Sequence, residues 1–422
     1  MVSQEISKRK YEIDWQRFPS VVFESDDWGA CESASDIDTA AKISALHKQL
    51  AHRDHSTVTT LESPRQLERL YKTLEKYKGA DGLPAVFTAF ICTGNPDYGK
   101  ILANGYLKYE DIGLDEGVPE GWERGDVVGK LREGFERGIF QPEFHSNLHH
   151  TSPLLWLQLL RDNSSKGELT RALFNLKCYC QGEHLPEYHD MDVREQDQWV
   201  KRGIARFENI FGFKPNAAVT SDAFPETEIV WALNGINTVC LKNCRTNTGE
   251  TVVYVTKPWN MQDIYAKIGD YNESSDVVYM TRNAFFESGM APGWEDSAAD
   301  VLSVVKRNIE VFNEPAVIST HRINYVSLNE QMVDMRYFEL EKLLQGLCEM
   351  GVCFLTTAEV SQMYRQGWSA RPFGNKTILR KWHEDACITE VPMPDSITDL
   401  KNQKIVENSN LSELALGSYL LN

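Results

Sequence analysis

Ser20-Val21-Val22-Phe23-Glu24-Ser25-Asp26-Asp27-Trp28-Gly29 opens on a short apolar run and ends on two carboxylates and a glycine. The run Val21-Val22-Phe23 reads as a buried strand, since short stretches of branched and aromatic residues suit a sheet covered on both faces. Neighbouring residues on a strand point to opposite sides. At a strand end the chain turns, and Trp28-Gly29 permits such a turn. Asp26 and Asp27 can then face one pocket.

Similar strand-like runs follow at residues 85–92, 140–145, 217–221, 238–241, 277–282, 316–320 and 352–356. Amphipathic helical patterns lie between them. One starts at Ser63-Pro64 and carries Leu67, Leu70, Tyr71, Leu74 and Tyr77 on one face. Another spans about 194–211 and stops at Gly212, a C′ glycine. A third starts near Asn329 and carries Met332, Met335, Leu343, Leu344 and Leu347. Roughly eight strands alternating with helices predict an α/β protein of barrel type. No glycine-rich dinucleotide fingerprint follows any strand, which disfavours an open doubly wound sheet. In such barrels the chemistry sits at the C-terminal strand ends. Asp26, Asp27, His145, Ser221, Asp222, Arg282 and His321 all fall at or just after such ends.

Residues 1–368 read as one barrel, with an insertion at about 94–125. That insertion follows the second strand and is expected at the mouth, on the substrate side. Residues 369–422 read as a C-terminal extension, with an apolar stretch at 411–421 that packs on the barrel or on a partner chain.

The chain holds 44 Lys and Arg against 61 Asp and Glu, a formal charge of −17. Such a surface disfavours generic binding to nucleic acid or anionic membrane. The nine cysteines contain no CxxC pair, so mostly free thiols and a reducing compartment are expected. Residues 1–15 lack an apolar signal core, and no stretch reaches the roughly 18 apolar residues of a membrane span. A cytoplasmic protein is the default expectation, although a chain already stripped of its signal peptide would read the same. The sequence leaves self-association open.

His145-Ser146-Asn147-Leu148-His149 supplies two imidazoles three residues apart. On one helical turn that spacing puts both on one face. Ser146 could orient a ligand or cap such a turn. Two imidazoles and a carboxylate can hold a divalent metal, and a further carboxylate beside them can act as a base. Protein ligands on part of the sphere leave room for water and substrate, the catalytic arrangement. Zinc suits the set, and cobalt, nickel, manganese or iron can occupy the same ligands. His321 closes the run Ala316-Val317-Ile318-Ser319-Thr320. It could protonate a leaving group or be a satisfied polar histidine at a strand end.

The order of these motifs resembles the polysaccharide deacetylases (carbohydrate esterase family four). An Asp-Asp follows the first strand, H-S-x-x-H the third, and a histidine a late strand. The stretch from Gly351 to Tyr364 is similar to that family's last strand and helix. The resemblance implies a distorted (β/α) barrel of about seven parallel strands, and a metal, usually zinc, on Asp27, His145 and His149. It further implies Asp26 as general base, His321 as general acid, and an acylated carbohydrate as substrate.

Three features depart from the family pattern. Trp28 stands between the Asp pair and Gly29. The stretch Val219-Thr220-Ser221-Asp222-Ala223-Phe224-Pro225 lacks the arginine that usually pairs with the base. The mouth insertion is long. Arg282 or Arg322 could replace the missing cation, and Asp222 could orient His321 or touch substrate. Trp28, Ser221, Asp222, Arg282 and Arg322 are therefore the candidate substrate-side residues. Two other readings stand beside the deacetylase. One is a glycoside hydrolase recruiting Glu143 with Asp26 or Asp222. The other is a carbohydrate-binding homologue that has lost turnover.

Overall fold

The computed structural model describes residues 6–7, 9–48, 59–149, 151–180, 187–219, 225–241, 243–245, 251–255, 262–287, 297–373, 376–381 and 387–392. Nine parallel strands form its centre: β1 (Ser20–Trp28), β2 (Phe87–Cys92), β3 (Phe140–Ser146), β4 (Ala217–Val219), β5 (Thr238–Leu241), β6 (Val277–Thr281), β7 (Ala284–Phe285), β8 (Ala316–His321) and β9 (Cys353–Leu355). Their order across the sheet is β6-β5-β4-β3-β2-β1-β8-β7, and β9 joins the first three residues of β1. Tyr271–Asn272 and Ile6–Ser7 extend the β6 edge in antiparallel fashion, giving an eleven-stranded sheet.

All eight expected strand runs are strands, with ends moved by a few residues. The two-residue β7 and the antiparallel edge are too short to leave a periodic signal. The protein is thus α/β with a mostly parallel sheet. The expectation is a distorted barrel of about seven parallel strands. Among the described residues the two edge strands, Ile6–Ser7 and β7, do not pair with each other.

The helices follow the sequence signals closely. Pro64–Lys76 begins with a capping box between Ser63 and Gln66 and buries Leu67, Leu70, Tyr71 and Leu74. Val193–Phe211 ends at Gly212, whose φ of +79° is the left-handed conformation a helix stop needs. Glu330–Glu349 is capped by Asn329 and buries Leu343, Leu344 and Leu347, while Met335, expected on the same face, is exposed. No helix among the described residues is long and apolar enough to cross a membrane.

Residues 94–113, part of the expected insertion, form local structure. Gly94–Pro96 pairs with Asp111–Gly113, and a short helix spans Tyr98–Ala103. Asp111 accepts two hydrogen bonds from Arg206, at 2.9 and 3.1 Å, tying the insertion to the helix Val193–Phe211. Its base also braces the loop after β1. Asn95 donates to Gly29 O at 3.0 Å and accepts from Cys31 N at 2.7 Å.

Past the helix Thr357–Gln366, the strands Trp368–Phe373, Lys376–Lys381 and Cys387–Pro392 form a three-stranded antiparallel sheet. Arg380 anchors it to Glu359 and Asp81. The apolar stretch at 411–421 lies outside the described residues. Seven of the described cysteines, Cys31, Cys92, Cys178, Cys180, Cys240, Cys348 and Cys353, carry free thiols.

Candidate metal centre

Two irregularities in the sheet build the site. Between β1 and β2 the register passes from Ser25 opposite Ala89 to Trp28 opposite Ile91. Asp26 and Asp27 therefore share the space of one partner residue, a β-bulge. Asp27 takes φ of +76°, a left-handed conformation that aspartate tolerates better than most residues. The bulge lets consecutive aspartates serve one pocket, where a regular strand would send them to opposite faces.

A second bulge lies between β2 and β3, where Ile91 faces Phe144 but Cys92 faces Ser146. The residue left over is His145. Gly29, at φ +83°, lies between these irregular segments. A Cβ there would come within 2.6 Å of Cys92 O, so only glycine allows the approach.

His145 is the penultimate residue of β3 and His149 sits in the turn that follows. The expected helical turn is absent. A strand end followed by a tight turn brings residues i and i+4 together as a helix does. Ser146 caps no helix; its hydroxyl lies 3.4 Å from Cys92 Sγ, and the next helix, Pro153–Arg161, is capped by Ser152.

Asp27 Oδ1 lies 2.9 Å from His149 Nε2 and 3.5 Å from His145 Nε2. The distances alone would suit ion pairs, yet Asp27 Oδ1 is a buried oxygen with no hydrogen bond of acceptable geometry. Ligand atoms of Asp27, His145 and His149 all lie within 4.8 Å of one another. A buried carboxylate and two imidazoles converging in this way fit a divalent metal.

The charges follow from these neighbours. Burial pushes the Asp27 carboxyl up, but the His149 and His321 charges outweigh it and hold it well below the usual range. Burial pulls His145 down toward the neutral form. Burial acts the same way on His149, but Asp27 and Glu32 on either side raise it to about 10.

Asp26 pairs in register with His321 across β1 and β8. Arg282, one residue past β6, donates from Nη1 to Asp26 Oδ2 at 2.8 Å and from Nη2 to Asp26 Oδ1 at 2.6 Å. Its Nε donates to Glu24 Oε2 at 2.8 Å. Burial pushes Asp26 up, yet the Arg282 charge and hydrogen bonds win and hold it below the ordinary carboxylate range.

His321 Nε2 lies 3.7 Å from Asp26 Oδ2, and its Nδ1 is 2.5 Å from Glu287 Oε1. Glu287 is oriented in turn by Asn324 Nδ2 at 2.9 Å. Burial lowers the His321 pKa, but the Glu287 and Asp27 charges raise it more.

The other sequence candidates fall elsewhere. Trp28 is fully buried, donates to Ser25 Oγ at 3.0 Å and packs edge-on against Phe140. It is a core residue here, because the bulge turns it inward. Arg282 and Arg322 are fully buried and engaged by carboxylates, so neither presents a free guanidinium to a substrate. Arg282 does supply Asp26 with the cation that the 219–225 stretch lacks. Ser221 and Asp222 lie outside the described residues. Glu143, considered for glycosidic chemistry, accepts from Asn216 N and Ala217 N at 2.7 and 2.8 Å, which fixes the start of β4.

Sequence reasoning missed Glu32 and Glu287. Glu32 lies in the stretch Glu32-Ser33-Ala34-Ser35, which carries no motif. Glu287 follows the two-residue β7. Neither carries a spacing signal, and only the fold brings them to the histidines.

No family model matches the chain, and no curated protein matches it. Solved structures show likeness at low identity. A Mycobacterium smegmatis protein assigned to the polysaccharide deacetylases is 12% identical, with 86% of this chain and 95% of that chain covered and a TM-score of 0.41. A GH57 branching enzyme from Thermococcus kodakaraensis is 13% identical, with 80% and 70% covered and a TM-score of 0.38. A de-N-acetylase from Aggregatibacter actinomycetemcomitans is 13% identical, with 63% and 93% covered and a TM-score of 0.24.

Proposed function

We propose that this chain is a metal-dependent hydrolase that removes an acyl group from an acylated sugar or a related amide or ester. Asp27, His145 and His149 would hold the metal, with zinc the best match to two imidazoles and a carboxylate. Bound there, the ion supplies Lewis-acid polarisation of the scissile carbonyl and lowers the pKa of water. Arg282 keeps Asp26 ionised and aimed, so a proton acceptor stands ready across the neutral range. Glu287 fixes Nδ1 of His321 and leaves Nε2–H for the departing amine or alkoxide. Water adds to the acyl carbon, the C–N or C–O bond breaks, and the leaving atom takes the proton from His321. An acid and a deacylated sugar result.

One observation carries this reading. The base and acid candidates occupy paired positions on adjacent strands, Asp26 on β1 and His321 on β8, beside a three-donor cluster. The carbohydrate part of the proposal comes from the motif resemblance alone.

Metal content by elemental analysis tests it, in wild type and in the His145→Ala/His149→Ala double variant, together with chelator-sensitive acetate release from acetylated sugars. About one equivalent in wild type, lost in the double variant, is expected. A wild type that takes up no metal after reconstitution with zinc or cobalt overturns the hydrolase mechanism.

A further inference from the structure

The loop after β1 carries a carboxylate placed behind one of the metal-ligand candidates. Glu32 Oε2 meets Nδ1 of His149. The other ring nitrogen, Nε2, is the one that faces Asp27. Glu32 Oε1 is held by Arg322 Nη2 at 3.3 Å. Arg322 is fully buried and donates from Nη1 to Ala30 O at 2.9 Å and to Glu62 Oε2 at 3.1 Å. Glu62 Oε1 accepts from Gly29 N at 3.0 Å. The Glu32 backbone is fixed as well, since its carbonyl accepts from Cys180 N at 3.1 Å.

A carboxylate on one imidazole nitrogen decides which nitrogen carries the proton in the neutral ring. With Glu32 at Nδ1, neutral His149 keeps Nδ1–H and presents the Nε2 lone pair toward Asp27. The ring is also held from behind. Arg322 adds a mechanical link, because it follows His321 directly in the chain. The arm that sets the metal-side histidine and the strand that carries the acid candidate share one turn.

We propose that Glu32, held by the Arg322–Glu62 arm, is the positioning residue that makes His149 a metal ligand through Nε2. This rests on the reading of Asp27, His145 and His149 as a metal site. Glu32 acts through His149 and touches neither the ion nor the substrate.

The experiment uses the full chain. Zinc affinity is measured by competition with a chromophoric chelator for wild type, Glu32→Ala, Glu32→Gln and His149→Ala. Long-range proton–nitrogen NMR of the zinc-loaded protein reads which His149 nitrogen is protonated. Glu32→Ala is expected to weaken zinc binding about 10- to 100-fold and to lose a water-protected Nδ1–H signal. Glu32→Gln, which keeps an acceptor, loses less. Unchanged affinity and an unchanged His149 signal in Glu32→Ala, with zinc lost in His149→Ala, overturn the role of Glu32 and leave the metal site standing. No zinc in wild type removes both. Where Glu32→Ala does not fold, the wild-type spectrum decides. Protonated Nδ1 supports the assignment, and protonated Nε2 overturns it.

Discussion

Asp26 and Arg282 stand 256 positions apart and meet through two parallel hydrogen bonds of 2.8 and 2.6 Å. The same guanidinium holds Glu24 at 2.8 Å, so one buried cation serves two buried carboxylates. Such a group contributes little net stability when intact, but removing one partner strands the others without compensation.

Arg282→Ala is therefore expected to cost about 3–5 kcal/mol, read by urea denaturation. Asp26 is held low by Arg282, so its pKa rises in the variant. The acid limb of the kcat/KM profile then moves to higher pH. Arg282→Lys keeps the charge but loses the planar fork, and should fall between. An acid limb that stays in place in Arg282→Ala would mean that Asp26 is not the titrating base.

Asp26→Asn should separate chemistry from metal binding. Loss of a general base typically lowers turnover by about 10²–10⁴-fold, and metal content should be unchanged if the ion sits on Asp27, His145 and His149 and not on the overlapping group of Asp26, Asp27 and His321. If elemental analysis finds the variant empty of metal, the ligand and base roles have been exchanged.

The pair of His321 and Glu287 predicts a pH shift of opposite sense. Glu287 raises the proton affinity of His321, and a general acid loses activity as pH climbs through its pKa. Glu287→Gln should thus move the alkaline limb to lower pH. His321→Ala should harm amides, with their poor leaving groups, far more than activated esters. Equal losses on both substrates count against an acid role.

Glu187 offers a test of stability. Its Oε1 accepts from Asn147 N, Leu148 N and Trp199 Nε1 at 2.9, 3.1 and 2.7 Å, which straps the turn that carries His149. Burial outweighs those bonds and pushes the carboxyl up to about 7. A raised folded pKa means stability that is full below the unfolded value near 4.5 and lost as pH rises through about 7. The loss is on the order of 3 kcal/mol. Glu187→Gln should be flatter over that window, so the variant gains on wild type as pH increases. Parallel stability curves between pH 4.5 and 7.5 would contradict this linkage.

Much of the fold was legible because its strands are short apolar runs and its helices carry explicit starts and stops, such as Ser63-Pro64 and Gly212. The aspartate pair and the two histidines stood out for the same reason, as polar residues at the ends of such runs. Geometry between elements was not legible. HxxxH spacing suits both a helical turn and a bulged strand end with its following turn, and only the register of β2 against β3 distinguishes them. Trp28 looked like a pocket residue because it follows Asp27, yet the bulge that brings both carboxylates together also turns this indole into the core. Arg282 could be named only as one of two cations. Glu32 and Glu287 gave no signal, since their partners lie 117 and 34 positions away.

The left-handed backbone at Asp27 makes folding and chemistry select for different residues there. In a library randomised at position 27, glycine and asparagine suit the backbone but carry no charge for a cation. Glutamate carries the charge but resists a positive φ, at about 1–2 kcal/mol. Aspartate alone meets both demands. Under the proposed metal reading, Asp27→Asn is then the least disruptive way to empty the site while keeping the backbone that shapes it.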